Sequence, residues 1–389
     1  MPIQEFLRNH CPNIPALRRW VSRERIRALN RHLMSEEDLI AGEQSEERKQ
    51  DLAQLWAAKD PEYHRKTENK LQGLLETVWK DRQDHDALIT DVVFCRYAYG
   101  FLPEEYLCFG LENRDMNGRL SFVSDIQRIR YDCRMSDMAD SRIFKDKAQT
   151  YRFFEPYYKR DIVALQRQSD QDAFFTFIQK HPRFLRKEVF NSIGQGIELI
   201  DLGTCGRSPT EVFRESIRHG KVVLEELVEQ SGEMAAFNAS SVNTVRCITL
   251  NTRRGIDILC TVLRVGRDGH FVDNAGFGGL FAGIEEKTGI VNTDGCSKIN
   301  ERFAMDPDTG KTFKGFQLPD WQALIDMCCE MARKIPTVRY IGWDMAHTDQ
   351  GWIVIEGNNC PQIGMVQIAR QKGIRAQLEN SMMQMDLMA

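Results

Sequence analysis

Two carboxylates, Asp344 and Glu356, stand in the segment VRYIGWDMAHTDQGWIVIEGNNCPQ. Its pattern predicts a β-hairpin, with strands over 338–346 and 352–357 around the turn formers Thr348-Asp349-Gln350-Gly351. A hairpin centred on residue 350 sets the two acids directly opposite each other. Side chains so opposed share a face with Cβ atoms ~4.5–5.5 Å apart, where like charges repel. Asn358 continues that face two residues on. Two carboxylates and an amide oxygen gathered together call for a cation, and an all-oxygen set favours Mg²⁺ over zinc or copper. Mg²⁺ takes its remaining ligands from water and phosphates, so the pattern points to a nucleotide site. The competing reading is a one-residue slip, which sends the carboxylates to opposite faces as solvated groups.

Phosphate needs donors and positive charge. Lys187, in RFLRKEVF (183–190), precedes Ser192-Ile193-Gly194-Gln195-Gly196, whose glycines allow close backbone approach to a ligand. This is neither a Walker A loop nor a dinucleotide fingerprint. An ordinary hairpin turn competes with the loop reading, and a solvated basic face with Arg183 and Arg186 competes for Lys187. Lys147 opens a helical stretch ahead of YRFFEPYYKR and offers a second ammonium. The 11 cysteines and eight histidines form no CxxC, HxH or HxxxH spacing, so no zinc or haem site is expected. Free thiols fit a reducing cytosol. Cys205 and Cys360 are placed near the site as packing residues, and Trp343 as core filler.

The elements behind these groups change in texture along the chain. Leu17, Val21, Leu29 and Leu33 form a helical stripe among Arg18, Arg19, Arg23, Arg25, Arg27 and Arg31, and acidic residues follow at Glu36, Glu37 and Asp38. That charge reads as a solvated face partly neutralised by its neighbour, with contact to RNA or an acidic partner as the alternative. The stretch FLPEEYLCFGLENRDMNGRLSFVSD (101–125) predicts a small α/β element turning at Asn117-Gly118. Beyond about residue 140 come short strands and turns. Ser208-Pro209-Thr210-Glu211 predicts a capped helix over 209–219. KVVLEELV is a strand, and residues 244–274 form a three-stranded meander turning at 253–255 and 267–269. Asp320 caps a helix ending near Pro336.

Composition excludes several classes. The chain has 389 residues, 42% hydrophobic and 28% charged, with 52 basic against 56 acidic side chains and a net charge of -4. That is the balance of an ordinary folded chain of two or three domains. It does not suit a surface that grips nucleic acid or membrane throughout. No run approaches the ~20 apolar residues of a membrane span, and the N-terminus lacks a secretory h-region. A cytoplasmic location is expected.

Six segments in order resemble the ATP-grasp superfamily, and within it the sugar-transfer-associated branch. They are FKDKAQTYRFF (144–154), RFLRKEVFNSIGQG (183–196), VLEELV (223–228), SSVNTVRCITL (240–250), FVDNAGFGG (271–279) and YIGWDMAHTDQGWIVIEGNNCPQ (340–362). The resemblance runs from about Phe101 to Gln377. It implies an α+β fold in which two lobes hold ATP between two sheets, preceded by a mostly helical region. The expected divisions are 1–135 for that helical and small α/β region, 136–224 for the N-terminal lobe and 225–389 for the C-terminal lobe.

The resemblance also implies roles. Lys147 and Lys187 contact ATP, and Ser192, Gly194, Gln195 and Gly196 belong to a loop closing over its phosphates. Glu225 and Glu226, with the backbone of Leu227 and Val228, meet the adenine at the hinge. Asp344, Glu356 and Asn358 hold Mg²⁺. Many relatives carry an arginine two positions before the first metal carboxylate, where this chain has Gly342. The oxyanion role therefore passes to Arg246, to Arg264 or to the loop Asn274 to Gly279, with surface exposure the alternative for Arg264. Asn274, Gly278 and Gly279 are candidate substrate contacts.

The implied activity is a carboxylate–amine ligase working through an acylphosphate and releasing ADP and phosphate. An amino acid joined to a sugar, peptide or natural-product intermediate fits the branch. A kinase of a hydroxyl acceptor and a nucleotide-binding interaction module are the alternatives. Small-molecule substrates are the expected partners; charged tRNA is the one nucleic-acid route left open.

Overall fold

The computed structural model describes residues 15–137, 139–189, 196–218, 220–267 and 278–385. It opens with helices α1 (Pro15–Asn30), α2 (Glu36–Gln44), α3 (Glu46–Lys59), α4 (Pro61–Thr77), α5 (His85–Ala98), α6 (Pro103–Cys108), α7 (Met116–Ser121) and α8 (Asp125–Met135). Side-chain caps start many of them. Ser35, Ser45, Asp60, Asp115 and Ser124 each accept a hydrogen bond from a first-turn amide.

The expected small α/β element at 101–125 is absent: the described residues there form helices and turns, without a strand. Asn117-Gly118 does not turn a hairpin, because Asp115 accepts from Gly118 N at 2.8 Å and caps α7 across that pair. Local capping outcompetes the turn signal.

Two antiparallel sheets follow. α9 (Lys147–Tyr158) leads to the first, built from β1 (Ile162–Leu165), β2 (Arg183–Glu188), β3 (Ile197–Asp201) and β4 (Val222–Glu226) in the order β1-β4-β2-β3. Its outer face is covered by α10 (Gln171–Lys180) and α11 (Pro209–Arg218), through Phe174, Phe177, Phe184, Val212 and Phe213. The capping box of α11 is in place: Ser208 Oγ accepts from Glu211 N, and Glu211 accepts from Ser208 N at 2.7 Å.

The second sheet takes β5 (Thr244–Thr252), β6 (Gly255–Val265), β7 (Leu280–Ile284), β8 (Gly295–Cys296), β9 (Arg302–Phe303), β10 (Tyr340–Thr348) and β11 (Gly351–Asn359) in the order β11-β10-β5-β6-β7-β8-β9. The first two strands of the expected meander are present; the third lies outside the described residues.

Strand alternation gives this sheet two apolar faces. Val245, Cys247, Leu263, Ile341, Trp343 and Met345 pack against α9 and α12 (Trp321–Lys334). Trp343 is core, as its sequence context suggested. Asp320 precedes α12 but does not cap it, because its carboxylate is engaged by His347 Nε2 at 3.1 Å. On the opposite face, Ile248, Leu250, Leu259, Cys260, Val262, Phe281 and Tyr340 share one core with the N-terminal helices and with α13 (Gly364–Arg370) and α14 (Arg375–Met383). The helical region is thus built onto the sheet that carries Asp344.

Candidate active site

β10 and β11 hold the two carboxylates. Thr348 pairs with Gly351 across a two-residue turn, so the hairpin is centred half a residue before 350. Continued regularly, that register would set Asp344 against Ile355. A bulge between the Asp344 and Met345 pairings inserts one residue into β11 and restores Asp344 opposite Glu356, with Gly342 opposite Asn358. The expected juxtaposition is present, and the bulge produces it.

Asp344 is 5% exposed. Both its oxygens are engaged by Arg246, directly opposite on β5, through Nε to Oδ1 and through Nη2 to Oδ2 at 2.8 Å; Arg264 Nη1 on β6 reaches Oδ2 at 2.9 Å. Burial would raise this carboxyl, but the two guanidinium groups outweigh it and hold it below the usual carboxylate range. Glu356 moves the other way, raised by burial and by the charge of Asp344 against the opposing pull of Lys147, Lys187 and Arg246. Asn358 Nδ2 is buried with no hydrogen-bond partner among the described residues. Arg264 is therefore an interior side chain, and the exposed reading of it does not hold.

Gly342 leaves space that the site uses. A Cβ there would lie 2.6 Å from Pro361 Cβ and 3.2 Å from Arg246 Cδ. The stem of Arg246 passes over Gly342, so its guanidinium reaches the Asp344 carboxylate from the neighbouring strand.

The first sheet faces this one across a cleft of about 770 Å³. Leu185 and Lys187 of β2, Ile197 and Leu199 of β3, and Val223 and Glu225 of β4 line it by strand alternation, and Leu227 and Val228 line the exit from β4. Lys147 enters from the first turn of α9, whose N-terminus Asp146 caps by accepting from Ala148 N at 3.0 Å and Gln149 N at 3.2 Å. Lys221 anchors Asp146 at 2.8 Å. Burial and the nearby Lys187 lower the Lys147 ammonium, while Glu356 and Glu225 support it. Those two lysines and two glutamates therefore meet across the cleft.

Glu225 accepts from Lys187 Nζ at 2.9 Å and from Arg160 Nη2 at 2.8 Å. Burial pushes its carboxyl up, yet the Lys187 and Arg160 charges prevail and hold it at about 2. Arg160 escaped the sequence reading. Its guanidinium also donates to Val354 O of β11 at 2.7 Å and lies over the Tyr158 ring, so it links the two sheets. The signal that could have flagged it is faint: Lys159 adopts a left-handed φ of 47° that turns the chain after α9 and aims the next side chain inward.

Other expected residues separate from this group. Glu226 reaches the cleft rim, and its carboxylate accepts from Asp161 N at 2.8 Å. Gly196 has φ 72° and accepts from Glu188 N at 3.1 Å. Ser192, Gly194, Gln195 and Asn274 lie outside the described residues. Gly278 and Gly279 lead into β7 and are not among the residues lining the cleft. Cys205 is also away from it, at the edge of the first sheet's core. Cys360 does line it, as a thiol pushed up to about 12 by burial and Asp132.

No curated protein matches the chain. Solved structures similar to it include the ATP-grasp ligase PsnB complexed with minimal precursor, at 12% identity over 67% of this chain and 68% of that one, TM-score 0.41. The D-alanine–D-alanine ligase of Bacillus anthracis aligns at 14% identity over 65% and 70%, TM-score 0.39. That of Coxiella burnetii aligns at 8% identity over 71% and 66%, TM-score 0.41. The model of the sugar-transfer associated ATP-grasp family matches residues 127–382, beginning later than the Phe101 read from sequence. The match covers well over half of the chain, two sheets face each other across a cleft, and the chain belongs to the sugar-transfer-associated ATP-grasp family.

Proposed function

We propose that the protein is an ATP-dependent carboxylate–amine ligase that forms a C–N bond through an acylphosphate. The observation that carries this reading is one cleft with lysines from the first sheet and its flanking helix on one side, and an opposed carboxylate pair on the other. The same reading divides the chain into a helical region (1–135), an N-terminal lobe (136–224) and a C-terminal lobe (225–389).

The residues fit Mg²⁺ and ATP. Asp344, Glu356 and the Asn358 amide oxygen make an oxygen-only donor set, and the buried Asn358 Nδ2 has no acceptor among the described residues, a role phosphate would fill. When bound, Mg²⁺·ATP supplies a transferable γ-phosphoryl group whose charge the metal partly neutralises. Asp344, Glu356 and Asn358 would hold the metal. Lys147 and Lys187 would receive phosphate oxygens, with Ser192, Gly194, Gln195 and Gly196 closing over them. Glu225, Glu226 and the backbone of Leu227 and Val228 would meet the base at the β4 exit.

The substrate carboxylate takes the γ-phosphoryl group, and an amine then displaces phosphate. Both steps build negative charge on oxygen, which a fixed guanidinium stabilises. Arg246 and Arg264 are the catalytic candidates: both already reach into the cleft, and Gly342 leaves the space Arg246 needs. Asn274, Gly278 and Gly279 are proposed on the acid substrate. An amino acid joined to a sugar, peptide or natural-product intermediate is the substrate class, and the cytoplasm the compartment.

The test is an ATP-consumption screen over carboxylic acids with hydroxylamine as the trapping amine. A hydroxamate formed with stoichiometric ADP and phosphate supports the ligase. A stable phosphorylated acceptor with no free phosphate would overturn it in favour of a kinase.

A further inference from the structure

The turn that follows Asn358 is held from outside the two sheets. Cys360 adopts φ 52°, a left-handed conformation that is strained for a non-glycine residue and persists only where neighbours fix it. Arg128 of α8, itself 8% exposed, supplies that fixing. Its Nη1 donates to Cys360 O and lies against Cys360 Sγ. Asp125, one helical turn earlier, holds the same guanidinium through Nε at 3.0 Å and Nη2 at 2.6 Å. The fully buried Tyr340 donates its hydroxyl to Pro361 O at 2.7 Å. Pro361 in turn packs over Gly342, the strand partner of Asn358.

Cys360 and Pro361 line the cleft beside Asn358. The Asn358 amide nitrogen has no hydrogen-bond partner among the described residues to orient it, so its side chain is placed by its backbone and the turn behind it. Arg128 is well suited to that task, because a planar fork binds a carboxylate and a carbonyl at fixed angles together.

We propose that Arg128, with Asp125 as its anchor, is a positioning residue that fixes the Cys360–Pro361 turn and so sets Asn358 toward the metal–nucleotide site. This rests on the reading of Asn358 as a metal ligand. The helical region then contributes to nucleotide binding without touching nucleotide.

The test uses the full chain with ADP and Mn²⁺, a pair that binds without turnover. Affinity is measured by calorimetry with Mn²⁺ and again in excess chelator, alongside the melting temperature. Arg128→Lys and Asp125→Asn should each weaken Mn²⁺·ADP binding about tenfold to a hundredfold, as loss of a group orienting a metal ligand typically does. The affinity measured in chelator should stay unchanged. Either folded variant with wild-type Mn²⁺·ADP affinity, or an equal loss with and without metal, would overturn the proposal. Should Arg128→Lys fail to fold, Asp125→Asn decides, since it keeps the guanidinium and removes the negative charge that anchors it. Asn358→Ala separates the two readings. If it leaves Mn²⁺·ADP affinity intact, the metal assignment fails; if it weakens binding while both outer variants do not, the positioning role alone fails.

Discussion

Removing the Glu225 carboxylate would leave Lys187 and Arg160 in a buried pocket with no anion between them. Breaking such a pair from one side costs about 3–5 kcal/mol. Glu225→Gln should therefore lower the urea midpoint strongly at pH 7. The pH dependence has a defined sign. The carboxyl is held at about 2 against an ordinary 4.5, so its stabilisation is complete above about 4.5 and is lost as pH falls toward 2. Wild type should lose about 3 kcal/mol across that window relative to the glutamine variant, so their urea midpoints should converge in acid. On the same scale, Arg246→Ala removes a guanidinium proposed to meet developing oxyanion charge. Its kcat should fall about 10²–10³-fold, and an unchanged kcat in hydroxamate formation would remove Arg246 from catalysis. Lys147, Lys187 and Asp344 were legible as single residues because charge within a strand or at a helix start is visible in sequence. Arg160 was not, since its role depends on a left-handed turn and on a carbonyl nearly two hundred residues away.

At the level of elements, period-two alternation and the turn formers bounded the hairpin, but bringing Asp344 and Glu356 to one face took a bulge as well. The bulge in β11 was invisible: no glycine or proline marks it, and pairing with β10 alone defines it. At 101–125 the opposite happened, with a strong turn dipeptide overruled by the cap at Asp115. Gly342 ties β10 to the turn after β11. A methyl group there would meet the Pro361 ring, which has little freedom to retreat, so Gly342→Ala should cost about 1–3 kcal/mol. Thermal unfolding measures that cost, and hydroxamate formation should drop with it as the Arg246 stem is displaced. A folded, fully active variant would show that the turn yields without consequence.

Across the whole molecule, the N-terminal helices share one core with one face of the seven-stranded sheet. The Gln367 side chain joins them with two buried bonds, accepting from Val123 N at 2.9 Å and donating to Val123 O at 3.0 Å. Gln367→Ala would strand both backbone groups, costing about 1–3 kcal/mol for each buried group left unpaired. Helix content and tryptophan fluorescence should unfold together in that variant, because a shared core permits no independent melting of the helical region. Separate transitions would contradict this. The sequence marked the region 1–135 as mostly helical, yet which strand face its described helices cover follows from tertiary packing that no local pattern encodes.

Arg160 links the two sheets through side-chain bonds, holding Glu225 of β4 and the Val354 carbonyl of β11. Mechanically that is a fulcrum. While both bonds hold, they resist the sheets drawing apart as parallel plates and favour a swing about this point. The travel of each part of the first sheet grows with its distance from Arg160, so a small rotation at the guanidinium becomes a large gape at the far end of β2 and β3, around Gly196.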